Sequence, residues 1–279
     1  MTLLSGSIQP PLLTLLSSTS SPSLSPLFFA RTDPSSSSSI IATLPDDDSR
    51  NPSDSSETEL VPRIESKGSI VHDVVHVQSP SMTDTYIQAG CSLTDFKRRV
   101  QKGKAREGAL IQPLGVELHW LGMQLKTLGR REMSFEIGLL DSRGREGVVR
   151  CSSFKKSPTI HPHRNPPLVH LPLTLPKASP SQLTQWSHVP LNLPSLIALF
   201  QTPPRPQTHA SDEESNGSAP RKKRKVADLP SGGFGSVTYL RVYANCRVRR
   251  IWFSAEGEKT IEAMGRGVRD EWGLYAAET

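Results

Sequence analysis

The sequence predicts an all-β antiparallel sandwich with one or two short helices and long disordered insertions, on three observations. Met133-Ser134-Phe135-Glu136-Ile137 alternates apolar and polar residues, Leu139 stays in phase, and Val148-Val149-Arg150-Cys151 returns, which makes a hairpin. Two further strand-like runs, 236–243 and 247–253, stand near the end of the chain. Elsewhere short β-branched stretches recur between turn residues with little helical periodicity, the pattern of a two-layer β fold.

The elements follow in order. Residues 1–45 hold only two charges, Arg31 and Asp33, among many Ser, Pro and Leu. Pro10 and Pro11 interrupt the apolar run and no Lys or Arg precedes residue 31, which argues against a secretory or mitochondrial leader. Residues 46–57 read as a disordered polar loop. Strand character begins near residue 69, with 70–77 rich in β-branched residues and 83–89 short and aromatic. The polar, basic stretch 94–108 interrupts it. Residues 114–128 begin with alternation and end with Leu121, Leu125 and Leu128 at helical spacing, so their type stays open.

In the hairpin, Asp141-Ser142-Arg143-Gly144 supplies the turn, because Asp bonds its own backbone and Gly accepts positive φ. Val169, Leu171, Leu173 and Leu175 alternate again, and Pro172 and Pro176 confine that strand to an edge or a bulge. Residues 186–193 form another short strand, 194–200 one or two helical turns, and 203–233 a flexible loop rich in Pro, Ser and Gly.

Composition bounds the function. The 279 residues make one large or two small domains, and their 35% apolar content lies below the ~45–50% of ordinary globular chains. A folded core is therefore diluted by polar segments. No apolar run approaches the ~18 residues of a membrane helix, so no membrane partner is expected. Cys91, Cys151 and Cys246 are odd in number and lack Cys-x-x-Cys spacing, so they read as buried small hydrophobes in a reducing compartment. His161-Pro162-His163 has no regular ligand spacing, and no metal or cofactor is expected. Ser231-Gly232-Gly233-Phe234-Gly235 mimics part of a kinase glycine loop, but the chain left after it is too short for the remaining kinase parts. No nucleophile–base set stands out, so no enzymatic activity is expected.

The net charge of +6 is concentrated. Subtracting the five cations of Arg221-Lys222-Lys223-Arg224-Lys225 leaves +1. Subtracting six more (Lys97, Arg98, Arg99, Lys102, Lys104, Arg106) leaves −5. A domain-wide nucleic-acid surface is therefore disfavoured, and nucleic acid is the less favoured partner. Pro220 through Val226, with the five cations between, has the form of a nuclear import signal for the acidic grooves of import receptors. Upstream, Ser211-Asp212-Glu213-Glu214 has the form of an acid-directed phosphorylation site at Ser211. The 94–110 cluster is a candidate contact for phosphates or an acidic filament surface, weighed against a solvated loop. It holds no interleaved aromatic for base stacking.

Tyr239-Leu240-Arg241-Val242-Tyr243-Ala244-Asn245-Cys246-Arg247-Val248-Arg249-Arg250-Ile251-Trp252-Phe253-Ser254 resembles the signature of the cilia- and flagella-associated protein 20 family. Glu271-Trp272-Gly273-Leu274-Tyr275 is similar to that family's closing segment, and Leu114 to Leu118 with Phe135 to Asp141 to its centre. Residues 150–154 and 186–200 fall in the family's order, and Gln9 to Ser17 is similar to its start. The likeness is dense over about 235–275, moderate over 80–200 and faint before. The stretch 33–68, the insertion near 94–110 and the loop 203–233 depart from it.

The resemblance implies a jelly-roll-like sandwich without enzymatic activity. It implies binding to tubulin or microtubule-associated proteins at the ciliary inner junction, and nuclear roles linked to transcription. The expected organisation is then an N-terminal part at 1–32, a low-complexity polar loop at 33–68, a sandwich core at 69–202, a disordered loop bearing the import signal at 203–233, and completing strands at 234–279. Alternation places Tyr239, Arg241 and Tyr243 on one face of their strand, and Arg247 and Arg249 together on the next. With Arg250 they are expected to form one basic patch, holding an acidic partner or pairing internally. The expected locations are the nucleus and, in a ciliated organism, the axoneme, not secretion. The alternatives are a nuclear chromatin- or RNA-associated factor and a carbohydrate-binding sandwich. The latter predicts exposed rings among Trp120, Trp186, Trp252 and Trp272, which more naturally belong to the core.

Overall fold

A computed structural model describes residues 3–4, 7–21, 24, 27–46, 73–101, 112–176, 185–201, 229–266 and 272. Thirteen strands form two sheets: β1 (Leu12–Ser17), β2 (Phe28–Arg31), β3 (Ile40–Pro45), β4 (Asp73–Gln78), β5 (Tyr86–Gly90), β6 (Trp120–Thr127), β7 (Ser134–Asp141), β8 (Glu146–Ser152), β9 (Thr159–His161), β10 (Leu168–Pro172), β11 (Ser187–Asn192), β12 (Phe234–Tyr243) and β13 (Cys246–Ser254). Three short helices accompany them: α1 (Leu93–Gln101), α2 (Leu193–Ala198) and α3 (Glu258–Glu262). The fold is the all-β sandwich that the alternation predicts.

One sheet runs β11-β6-β13-β4-β3, with β1 also paired to β13; the other runs β2-β5-β12-β7-β8-β10-β9. Leu121, Met123, Leu125, Ile251 and Phe253 of the first face Ile87, Phe135, Ile137, Leu139, Leu240 and Val242 of the second, all fully buried. All three cysteines are buried and outside any disulfide, Cys151 and Cys246 in the same core. Burial pushes the thiols of Cys151 and Cys246 up to about 12, far from thiolate chemistry.

The β7–β8 hairpin forms as read. Gly144 has φ of 76°, and the Asp141 carboxylate accepts from the backbone N–H groups of Arg143 and Arg145 at 3.0 and 2.8 Å. The ambiguous stretch 114–128 becomes a strand from Trp120, because its alternate residues Leu121, Met123 and Leu125 fill the core.

Several expectations need correction. β10 pairs parallel with β8 and antiparallel with the short β9, so the sheet is mixed and β9 forms its rim. The segment 33–68 is not all loop, since β3 pairs with β4 along its length and is followed by Asp46, whose side chain is fully buried. The start of the basic insertion is helical. Glu146 accepts from the N–H groups of Leu93 (2.9 Å) and Thr94 (3.4 Å), and the Ser92 hydroxyl from that of Asp95 (3.0 Å), so the first turn of α1 is capped from two directions.

β12 and β13 also lie in opposite sheets, not side by side. Alternation reports which residues share a face of one strand; it carries no information about which layer the strand joins. The chain crosses between layers at Ala244-Asn245. There Ala244 N–H donates to the Thr85 carbonyl (3.0 Å), and the Asn245 side chain accepts from Ser79 N–H (2.8 Å).

Candidate functional site

The predicted basic patch is divided between the two outer faces of the sandwich. On the seven-stranded sheet the cross-strand registers set Gln88, Arg241, Glu136, Arg150 and His170 in one row. Glu136 sits between two guanidinium groups, receiving Arg150 Nε at 2.7 Å and standing 3.6 Å from Arg241 Nη1. Tyr243 donates to it at 2.9 Å. Arg241 lies over Tyr86 at 4.5 Å and against Tyr239 and Tyr243 at 5.7 and 5.6 Å, within cation–π range. This arginine is occupied internally.

On the six-stranded sheet Arg247 donates to Asp46 Oδ1 (2.8 Å), Lys126 lies 3.2 Å from the same atom, and Trp186 Nε1 donates to Oδ2 (2.7 Å). Arg249 lies in the register shift between Val248 and Arg250 of β13, and Arg249 and Arg250 are 4% and 2% exposed. Arg250 lies over the Trp272 ring at 4.9 Å. Trp272 in turn meets Trp252 edge-on at 4.8 Å, while His188 stacks on Trp252 at 5.1 Å. No open basic patch therefore exists among these four arginines. Trp120, Trp186 and Trp272 are half-buried and Trp252 is buried, so these rings lie on or beside the outer face without forming an open platform.

The open end of the β7–β8 hairpin is different. Beyond the Ser134–Ser152 pair, Met133 N–H donates to Ser153 Oγ (3.0 Å) and Ser153 N–H to the Met133 carbonyl (3.0 Å). The ladder thus carries Arg130-Arg131 and Lys155-Lys156 to the same end of the sandwich. A cleft of about 800 Å³ opens there, lined by those cations with Glu132, Phe154 and the segment from Pro172 to Pro176. Arg130, Arg131 and Lys156 are exposed, Lys155 is half-buried, and Phe154 is 38% exposed with its ring edge-on to His170 at 5.8 Å. Among the described residues none of the four cations makes an ion pair. A cationic rim around Phe154, Leu173 and Leu175 suits an anionic partner with some apolar surface.

Burial, then the nearby cations Lys155 and Arg150, hold the His170 pKa at about 4, against 6.5 for an ordinary histidine. His161 and His188 are lowered too, in each case first by burial. A histidine that protonates more readily unfolded than folded costs stability as pH falls from about 6.5 towards 4. We expect the urea midpoint to drop between pH 7 and pH 4.5, and His170→Gln to remove part of that slope. An unchanged slope in the variant would contradict this environment for His170.

Of the other predicted positions, Lys97, Arg98 and Arg99 lie on α1, where Arg98 pairs with Asp95 on the exposed surface. Lys102, Lys104, Arg106, Ser211 and the whole run 220–226 lie outside the described residues. The cleft cations escaped the sequence reading because each pair is too short to register as a charge cluster. The signal was present nonetheless: a hairpin must bring its two open ends together, and a dibasic pair flanks each.

These features define a two-layer β-sandwich with arginines packed on its faces and a cationic end. No protein-family model and no curated protein matches the chain. Among solved structures it is similar to a family 11 carbohydrate-binding module from Clostridium thermocellum, in complex with a β-1,3-1,4-mixed-linked tetrasaccharide. That likeness has 11% identity and a TM-score of 0.33, over 88% of this chain and 96% of the module. It is similar also to an exo-β-agarase, at 9% identity and a TM-score of 0.33, over 86% of this chain and 24% of the agarase.

Proposed function

We propose that the chain is a non-catalytic interaction sandwich of the cilia- and flagella-associated protein 20 kind. It binds a tubulin or microtubule-associated surface and enters the nucleus through Pro220 to Val226. The observation that carries the binding half is the hairpin-end cleft, where four cations stand without ion-pair partners among the described residues while Arg241, Arg247, Arg249 and Arg250 on the sheet faces are packed internally. Exposed, uncompensated charge is what steers and orients an oppositely charged partner. The resemblance over residues 239–254 supplies the family.

Cosedimentation with taxol-stabilised microtubules, run beside retention on nucleic acid across a salt series, tests the reading. Cosedimentation that weakens with salt is the expected result. Strong salt-dependent retention on nucleic acid without cosedimentation would replace it by a chromatin- or RNA-associated factor. For import, a fluorescent fusion should move from nucleus to cytoplasm when Lys222 to Lys225 are neutralised, and an unchanged distribution would remove that claim.

A carbohydrate-binding sandwich needs rings open to a sugar face. Trp252, 2% exposed beneath Trp272 and His188, offers none, while Trp120, Trp186 and Trp272 are half-buried, so this reading stands second.

A further inference from the structure

We infer that the hairpin-end cleft holds an extended, glutamate-rich peptide segment of a partner protein, a deepening that rests on the interaction-module reading above. Three features select this occupant. The cations come as two pairs on two loops, Arg130-Arg131 after β6 and Lys155-Lys156 after β8, so the charge is distributed along a wall and not focused at one point. A chain with carboxylates spaced along it matches a distributed wall; a single small anion does not. The segment from Pro172 to Pro176, which runs beside the end of β8 with Leu173 N–H donating to the Ser152 carbonyl at 2.9 Å, lines the cleft too, and its Leu173 and Leu175 are half-buried. The volume of about 800 Å³ lies in the range of clefts that enclose a substantial ligand.

Single-stranded nucleic acid fits less well. Its binding needs successive aromatic platforms for base stacking. Among the described residues Phe154 is the cleft's one aromatic ring, and it already meets His170 in a T-shaped contact. Among the described residues Glu132 is the cleft's one carboxylate, and it opposes an acidic occupant. That gives the inference a signature that a merely structural role would not produce: removing this one charge should tighten binding.

The test uses the full chain with the 221–225 run neutralised, so that those cations contribute nothing. Binding of fluorescein-labelled octaglutamate is followed by anisotropy at low and at physiological salt, beside labelled octauridylate. Lys155→Glu with Lys156→Glu should weaken octaglutamate binding by at least about tenfold, since each like-charge contact now repels. Glu132→Gln should tighten it about two- to threefold. The substituted side chains are exposed or half-buried, so unchanged circular dichroism and urea midpoints will show that the fold is intact.

Octaglutamate binding that ignores both changes, or fails even at low salt, overturns the inference. So does octauridylate binding that is tighter and lost in the same double variant. Octaglutamate binding that follows the cleft variants in a chain that does not cosediment with microtubules keeps this inference and sinks the tubulin assignment. Cosedimentation that persists in the double variant does the reverse.

Discussion

Replacing Asp46 with alanine will lower the unfolding free energy by about 3–5 kcal/mol, the cost of leaving buried cations without their counter-ion. Its side chain is fully buried, and those of Lys126 and Arg247 are only 9% and 11% exposed. Among the described contacts three donors converge on the carboxylate: Lys126 Nζ within 3.3 Å of both oxygens, Arg247 Nη1 at 2.8 Å and Trp186 Nε1 at 2.7 Å. Arg247 also donates to the Asp46 carbonyl at 3.0 Å and to His76 at 3.3 Å, so the cluster clamps the end of β3 onto β13, β6 and β4.

Equilibrium urea unfolding reads the loss, and two companions locate it. Asp46→Asn keeps an acceptor and should lose less. A triple variant with leucine or methionine at 46, 126 and 247 removes charge and counter-charge together and should regain most of the stability, because apolar replacement of a buried ionic cluster is often neutral or better. Ions so deeply placed are weakly screened, so the loss should persist at 0.5 M salt. A loss under 1 kcal/mol would mean that the cluster is solvated and that β3 is peripheral.

The same carboxylate shows why sequence reading stops where it does. Asp46 heads a polar run, and local pattern assigns such a run to a loop. Its partners lie 80, 140 and 201 residues away, and no periodicity reports on contacts of that span. The β7–β8 hairpin was legible because everything that makes it is local: period-two alternation, an aspartate that bonds its own turn and a glycine free to take φ of 76°. The face assignments along β12 were legible for the same reason, since Tyr239, Arg241 and Tyr243 do share a side and Leu240 and Val242 do fill the core. Placing β12 and β13 together was a non-local statement, and it failed. The cleft falls between these cases. Its composition cannot be seen in either dibasic pair alone, yet the hairpin that joins them could be read.

Converting Glu136 to glutamine will unlock the other face, at a cost of about 2–3 kcal/mol. This falls below the Asp46 figure because Arg150 and Arg241, each 25% exposed, can recover some hydration. The glutamine matches the shape and keeps a weaker acceptor, so most of the loss reflects the removed charge. A second readout follows from the tyrosines. Burial, then the Glu136 charge, raises the Tyr243 phenol above its ordinary pKa, and the same two causes push Tyr239 well above it. Without that negative charge the phenolate is less opposed, so the ionisation must move down. Absorbance at 295 nm during alkaline titration, kept below the unfolding pH, should show a tyrosine titrating earlier in the variant. The freed guanidinium groups should also give this face the salt-dependent affinity for octaglutamate that the intact Glu136 suppresses. An unshifted tyrosine with a stability loss under 0.5 kcal/mol would show that Glu136 does not neutralise the row, and Arg241 would return to the list of exposed contact residues.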